Sequence, residues 1–128
     1  MEKKIIQTAA ILGMTAIILG AFGAHALKKI LNLAELNTFE TGVKYQMYHA
    51  LFLLFIGTNN AISNKTKMTI FYFIISGVLA FSGSLYLLAI NKVLPIDIKS
   101  FGFITPIGGL LLITGWFWLF VSFFRKNS

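Results

Sequence analysis

The sequence predicts an all-α polytopic membrane protein: an antiparallel bundle of four transmembrane helices with a short interfacial amphipathic helix between helices 1 and 2. Of its 128 residues, 57% are hydrophobic and only 12% are charged, whereas soluble domains average about 25% charged residues. The apolar residues also fall into four stretches separated by short polar segments. Since a helix needs about 20 residues to cross a bilayer, this arrangement predicts four spans.

The four helices are predicted at about 5–27, 38–58, 68–90 and 105–124, in a single membrane domain covering residues 1–128. The first, third and fourth contain no Asp, Glu, Lys or Arg. The second apolar stretch is shorter. We place its start at Thr38, because Asn37 and Glu40 have the spacing of a capping box. One turn further on, Glu40 is expected to pair with Lys44.

The first connection is predicted to form the amphipathic helix. Its apolar positions recur at the spacing i, i+3, i+4, i+7 with charged residues between them. These apolar positions are Leu27, Ile30, Leu31 and Ala34, and the charged ones are Lys28, Lys29 and Glu35. The alternative is a solvated loop that contains leucines.

The stretch GAFGAHAL at 20–27 allows two interpretations of the first helix. Lys3 and Lys4, an apolar run and a small-x-small triplet imitate a secretory leader, but a leader's apolar region is about 7–15 residues. The longer run here predicts a retained span. Ala16, Gly20 and Ala24 are spaced by four, so they line one stripe where a neighbouring helix can approach closely.

Small residues also mark the third and fourth helices. They are Gly77, Ala80, Gly83 and Ser84 in the third, and Gly108 and Gly109 in the fourth. We expect the first and third helices to pack closely through their small residues. The glycines of the fourth helix serve either helix packing or a contact between subunits of a homo-oligomer.

The basic residues predict location and partners. With both termini cytoplasmic, six of the 11 Lys and Arg residues lie inside and five outside, a small positive-inside preference. The inside set is Lys3, Lys4, Lys65, Lys67, Arg125 and Lys126. The formal net charge of +7 suits anionic lipid headgroups, and membrane lipids are the expected partners. Because the basic residues are scattered over both faces, we expect no nucleic-acid partner.

A candidate buried polar site lies in the second helix. Thr41, Tyr45 and His49 fall at i, i+4 and i+8 along one stripe, flanked by Gln46. In the structural interpretation, these groups hydrogen-bond a neighbouring helix and fix its register. In the functional interpretation, His49 is a titratable ligand contact in a cavity between helices.

We expect neither a metal nor a cofactor. The chain has no Cys, and His25 lies near a helix end whereas His49 lies about 16 Å deeper at the helical rise. Two imidazoles without a nearby carboxylate or thiolate make a poor zinc or haem site.

Thr105 and Pro106 are a candidate helix-terminus site, together with His25 at the end of the first helix. If Thr105 is the N-cap and Pro106 the first helical residue, the fourth helix avoids a kink. Residues 101–104 would then be non-helical, and the free N–H groups of the helix would either bond Thr105 or meet an anionic headgroup.

Four blocks resemble a known family. They are GAFGAHAL at 20–27, TGVKYQMYHAL at 41–51, FSGSLYLLAI at 81–90 and ITPIGGLLLITGW at 104–116. In this order they are similar to the domain of unknown function 423 family, which includes bacterial YgdD-like and YwdK-like proteins and a mitochondrial transmembrane relative. The resemblance implies a four-helix protein of the bacterial inner membrane with its first helix retained, and a loose link to envelope integrity.

Three classes of function follow from these observations. The leading one is a non-enzymatic membrane protein that binds lipid or a membrane partner, since the sequence shows no nucleophile–base pair, carboxylate pair or phosphate loop. A small transporter or channel using His49, Tyr45 and Gln46 is the alternative. An enzyme acting on lipid or quinone is the third, disfavoured because Glu40 and Asp97 sit near surface turns.

Overall fold

The chain folds as a bundle of long helices. A computed structural model describes residues 2–124. Helix α1 (Glu2–Ile18) continues through a π-helical segment (Leu19–Gly23) into the short helix α2 (Ala24–Leu27). Helices α3 (Leu33–Thr58), α4 (Asn64–Ala89) and α5 (Ile104–Ser122) follow. The all-α prediction is confirmed, and no strand is present between residues 2 and 124.

Three helical stretches are long and apolar enough to cross a bilayer: Lys3–Leu27, Asn64–Ala89 and Lys99–Ser122. Helix α3 has 26 residues, about 39 Å at the helical rise, but its first half carries Glu35, Glu40 and Lys44. Arg125 and Lys126 belong to the basic residues predicted to be cytoplasmic, and they lie outside the described residues.

The helices pack in chain order, α1 on α3, α3 on α4 and α4 on α5. Gly57 near the end of α3 lies against Ile6 near the start of α1, and Gly42 near the start of α3 lies against Tyr86 near the end of α4. These contacts make each pair antiparallel. The predicted close packing of the first and third long helices is wrong, because α3 lies between α1 and α4.

The core runs through the end of the bundle that carries the N-terminus. Five side chains in it have no exposed surface, namely Ile5, Leu53, Ile56, Ile70 and Ile74. Ile5 belongs to α1, as does Ala16, which is 1% exposed. Helix α1 is therefore an integral part of the bundle, as expected of a retained helix.

The predicted start of α3 at Thr38 is wrong by about one and a half turns. The capping box is formed by Asn32 and Glu35: the Asn32 side chain accepts from the Glu35 N–H at 2.8 Å, and Glu35 Oε1 accepts from the Asn32 N–H at 2.9 Å. Asn37 and Glu40 lie inside the helix as a result. The predicted Glu40–Lys44 ion pair is not formed.

The predicted amphipathic helix between the first two spans is also wrong. Residues 28–31 form a turn and bend, and α3 begins at Leu33. The physical reason is the cap itself, since Asn32 adopts an extended backbone (φ −75°, ψ 175°) that interrupts any helix between Leu27 and Ala34.

Helix α5 begins one residue earlier than predicted, and Thr105 is not its N-cap. The N-cap is Phe103, without a side-chain hydrogen bond. Pro106 is the third helical residue, where its missing N–H removes no bond within the helix. Residues 101–104 are not the predicted non-helical stretch, because the 3-10 turn Lys99–Phe101 leads through two residues with helical backbone angles into α5.

Lys92 ties together the two connections at the end of the bundle opposite the termini. Its ammonium lies 2.8 Å from Glu35 Oε1 and donates to the Ile30 carbonyl at 3.2 Å. In the same loop, Asp97 Oδ1 accepts from the Lys99 backbone N–H at 3.0 Å. This bond lowers the pKa of the Asp97 carboxyl below its ordinary value.

The first prediction concerns the α4–α5 contact. We expect Gly108→Ala to lower the apparent Tm in detergent, because a Cβ there would overlap the backbone of Phe81 and lie 2.8 Å from the carbonyl carbon of Ala80. Neither backbone can move aside without separating the helices, and such overpacking typically costs about 1–3 kcal/mol. Fluorescence-detected thermal unfolding in detergent measures the change.

Gly109→Ala is the matched control, since its nearest neighbour would be Phe81 Cδ1 at 3.7 Å, an ordinary contact. We expect its Tm to equal or slightly exceed the wild-type value, as alanine favours helix over glycine. Equal losses in the two variants would contradict the close approach at Gly108.

Candidate functional site

Gln46 joins three helices from the middle of α3. Its Nε2 donates to the Leu12 carbonyl at 2.9 Å and to Thr15 Oγ1 at 2.7 Å, both on α1. Its Oε1 accepts from the Tyr86 hydroxyl of α4 at 2.6 Å. The side chain is 5% exposed, so its amide acts as a bridge between α1 and α4 through α3.

Gly42 lets Tyr86 reach this bridge. A Cβ at Gly42 would lie 2.6 Å from Tyr86 Cε1, so the ring approaches the α3 backbone this closely only because this residue has no side chain. Beside it, the Ser82 hydroxyl donates to the Gly42 carbonyl at 2.7 Å. The α3–α4 contact is therefore both close and hydrogen-bonded at this level.

His49 is held by two hydrogen bonds that define its protonation. The Trp116 indole N–H of α5 donates to His49 Nε2 at 3.0 Å, and His49 Nδ1 lies 2.7 Å from the Tyr45 carbonyl. Because an indole nitrogen can only donate, Nε2 must accept and the proton must sit on Nδ1. His49 is thus a neutral imidazole, 4% exposed, with both nitrogens engaged.

Aromatic stacking fixes the position of Trp116. Its ring stacks on Phe52 of α3, with 3.9 Å between ring centroids and an interplanar angle of 24°. The same indole makes an edge contact with His49 at 6.1 Å. Together these contacts attach α5 to α3, although α4 provides most of its packing surface.

The predicted polar stripe is divided between different surroundings. The Thr41 hydroxyl donates to the Asn37 carbonyl of its own helix at 2.9 Å. Tyr45 is 40% exposed, whereas His49 and Gln46 are buried. The structure therefore places Gln46 and His49 in the bundle and leaves Thr41 and Tyr45 outside the network.

The candidate terminus residues do not form one site. His25 is exposed on α2, and Thr105 Oγ1 lies 2.5 Å from Ser84 Oγ of α4, so its hydroxyl bonds α4 instead of capping α5. Pro106 is exposed on the first turn of α5. Between residues 2 and 124, no group of three or more His, Asp or Glu side chains could hold a metal ion.

The predicted packing residues fall into two groups. Gly77 and Gly108 are buried at the α4–α5 contact, and a Cβ on Gly77 would lie 2.7 Å from Leu112 Cδ2. Gly20 lies at the α1–α3 contact, where a Cβ would meet Val43 Cγ1 at 3.1 Å. Gly83 faces open space instead, with nothing within 4 Å of its Cβ position.

A lateral groove follows the α1–α3 contact on the outside of the bundle. It consists of two adjoining depressions of about 470 Å³ and 270 Å³ that share Ile17 and Met47. The first is lined by Ala16, Ile17, Gly20, Ala21, Val43, Lys44, Met47 and Tyr48. The second is lined by Ala9, Ala10, Gly13, Ile17, Met47, Ala50, Leu51 and Leu54. We call this surface the α1–α3 groove.

A second groove, of about 340 Å³, lies beside the His49–Trp116 pair. Its lining residues are Tyr45, His49, Phe81, Gly109, Leu112, Ile113 and Trp116. It is apolar, and the nitrogens of His49 and Trp116 are bonded to protein atoms.

Comparison with known proteins identifies the family. The family model described as "Protein of unknown function (DUF423)" matches residues 19–109. A UPF0382 membrane protein of Staphylococcus haemolyticus is 40% identical over 96% of this chain and 97% of its own. The UPF0382 inner membrane protein YgdD of Escherichia coli K12 is 34% identical over 91% of this chain and 86% of its own. The chain belongs to the DUF423 family.

A Haemophilus influenzae UPF0382 membrane protein is similar along the whole chain, with 36% identity over 100% of this chain and 99% of its own. No solved structure matches. Membership confirms the resemblance and the membrane class. The matched family range contains Gly42, Gln46, His49 and Tyr86, while Trp116 lies beyond it.

Sequence reasoning missed Tyr86, Ser82 and Trp116. Tyr86 resembles an interfacial aromatic residue, and Trp116 is one of many aromatics in an uncharged stretch. Their polar partners lie 40 and 67 residues away. The useful signal was Gln46 and His49 themselves, since buried amides and imidazoles in a bilayer require donors and acceptors from other helices.

The second prediction tests the Gln46 bridge. We expect Tyr86→Phe to destabilise the protein by about 1–3 kcal/mol, because it leaves the buried Gln46 Oε1 without its 2.6 Å donor. Denaturant unfolding in mixed micelles measures the change. Tyr72→Phe is the control, since Tyr72 is 55% exposed and the same loss there should be near neutral. Equal stability of the two variants would contradict a structural role for the bridge.

Proposed function

We propose that this protein is a non-enzymatic, four-span inner-membrane protein that binds a membrane phospholipid in the α1–α3 groove and thereby contributes to envelope integrity. The observation that carries the proposal is the groove itself, an elongated apolar depression that opens sideways toward the lipid and has a single cationic residue, Lys44, in its lining. The inner-membrane location follows from the Escherichia coli relative, which is named an inner membrane protein.

Helix direction supports four spans. Helices α1 and α4 are each long and apolar enough to cross, and both run antiparallel to α3, so they run parallel to each other. The chain must therefore recross the membrane between the end of the first and the start of the second. Helix α3 is the segment that does so, with its polar first turns in the headgroup layer. Four spans place both termini on one side, and the positive-inside rule favours the cytoplasm.

The shape of the groove supports an acyl chain as its occupant. The lining residues of α3 run from Lys44 to Leu54, a distance of about 15 Å at the helical rise. This equals the hydrocarbon depth of one leaflet, half of about 30 Å. Small residues line it on the side of the first span: Ala9 and Gly13 of α1, and Gly20 of the π-helical segment. The two depressions adjoin at Ile17 and Met47, so we propose that one extended acyl chain lies along both.

The transporter alternative rests on His49, Tyr45 and Gln46, and the hydrogen bonds argue against it. Both nitrogens of His49 are engaged, and Gln46 uses both ends of its amide. Among the described residues, every buried side-chain nitrogen and oxygen has a hydrogen-bond partner. We therefore propose a structural role for this cluster.

An enzymatic role finds no support in the placement of the acidic residues. Glu40 and Asp97 are exposed, and Glu35 is paired with Lys92. All three lie toward the end of the bundle opposite the chain termini. His49, in contrast, is buried against Trp116 in the middle of α3. Among the side chains of residues 3–124, no carboxylate is placed to work with the imidazole as acid or base.

The third prediction concerns variants whose larger side chains fill the groove. We expect Ala10→Leu and Ala21→Leu, one in each half of the groove, to abolish retention of a phospholipid because the added side chains occupy the acyl path. Both alanines are exposed, so the packed face of α1 stays intact. Native mass spectrometry after gentle extraction measures retained lipid, and crosslinking by a phospholipid with a diazirine in its acyl chain locates it.

Ala26→Leu is the matched control, since Ala26 is exposed on α2 and does not line the groove. It should keep both lipid and crosslink. In a deletion strain, wild type and Ala26→Leu should restore detergent tolerance while the filled variants should not. The proposal fails if wild type carries no lipid, or if the filled variants carry as much as the control.

A further inference from the structure

Lys44 is a lysine that lines the α1–α3 groove. It is exposed on α3, eleven residues after the helix begins at Leu33, about 16 Å along its axis. Its ammonium has no hydrogen bond or ion pair with any residue between 3 and 124. Glu40, one turn earlier, is also exposed and does not pair with it.

A charge at this boundary between the polar layer and the hydrocarbon favours an anion from outside the chain. Lysine within a membrane span is costly, and its long stem relieves part of the cost by carrying the ammonium toward the polar layer. The rest is relieved by an opposite charge. In a bilayer the abundant anion at that depth is the phosphate of a phospholipid.

The residues below Lys44 follow the order of groups in a phospholipid. Lys44, Tyr48, Leu51 and Leu54 are spaced by four, three and three, so they form one stripe of α3 that lines the groove. An ammonium for a phosphate comes first, then a hydroxyl for an ester carbonyl, then two leucines for the acyl chain. Tyr48 is 53% exposed, so its hydroxyl is accessible to such a ligand.

The charges around this end favour an anionic headgroup in general, and Lys44 is the one lysine among them that lines the groove. The end of the bundle opposite the termini carries five lysines and three acidic residues. One of the acidic residues, Glu35, is already paired with Lys92. The lysines are Lys28, Lys29, Lys44, Lys92 and Lys99. This excess of positive charge repels the ammonium of a zwitterionic headgroup and attracts a headgroup with net negative charge.

We infer that the α1–α3 groove selects an anionic phospholipid from the leaflet opposite the chain termini, with Lys44 binding its phosphate and Tyr48 its ester carbonyl. This inference rests on the proposed lipid site and adds the headgroup class, the leaflet and the selecting residue.

The test is a competition between headgroups. The protein is reconstituted in vesicles of equal parts phosphatidylglycerol and phosphatidylethanolamine, each with a diazirine in its acyl chain, and the ratio of the two crosslinked products is measured. We expect wild type to favour phosphatidylglycerol about fivefold, the effect of one lysine near the membrane surface. Lys44→Gln should bring the ratio to about one while total crosslinking persists, and Lys44→Arg should keep the preference.

Lys29→Gln is the matched control, because it removes one positive charge at the same end of the bundle and does not line the groove. It should leave the ratio near the wild-type value. If it reproduces the effect of Lys44→Gln, the preference comes from overall charge and the Lys44 site is wrong. Adding each labelled lipid to one leaflet only tests the side, and crosslinking from the terminal leaflet would overturn that assignment.

Two further outcomes separate this inference from the proposed function. If wild type crosslinks both lipids equally and the groove-filled variants lose both, the lipid site stands and the anionic selection is overturned. If wild type crosslinks neither lipid in the groove, or if a second copy of the chain occupies it, both the proposed function and this inference fail.

Discussion

The bundle depends on one constraint: in hydrocarbon, each buried polar group must find its partner inside the protein. Gln46 is where this constraint determines the helix order. Its amide needs acceptors on one side and a donor on the other, and it finds them on α1 and α4. Both helices therefore flank α3. Gly42 completes the arrangement by giving the Tyr86 ring room against α3.

Helix α5 is attached by different means. Gly77, Gly108 and Gly115 bring its backbone close to α4, where van der Waals packing drives association because lipid offers no hydrophobic force. Close packing alone leaves register weakly defined. The bond from Trp116 to His49, the stacking of Trp116 on Phe52 and the contact between the Thr105 and Ser84 hydroxyls supply it.

What the sequence predicted well was local. Uncharged stretches predicted the positions of the helices. Gln46 and His49 were recognised because polar residues stand out in apolar surroundings. The start of α3 failed for a specific reason: Asn32–Glu35 and Asn37–Glu40 have the same capping-box spacing, and the choice between them depends on tertiary contacts such as the Lys92–Glu35 ion pair. Their hydrogen-bond partners, Tyr86 and Trp116, could not be predicted from the sequence, because they depend on which helices become neighbours.

The polar groups inside the bundle also lie in an arrangement that bears on function. Gln46 and His49 are three residues apart, about 4.5 Å along α3, and their partners come from the neighbouring helices at the same level. The two groups of hydrogen bonds therefore lie at a similar depth along α3. A route for protons or solutes needs polar groups along the membrane normal. The two groups join α3 to its neighbouring helices, which supports our proposal that a ligand binds at the outer surface beside Lys44.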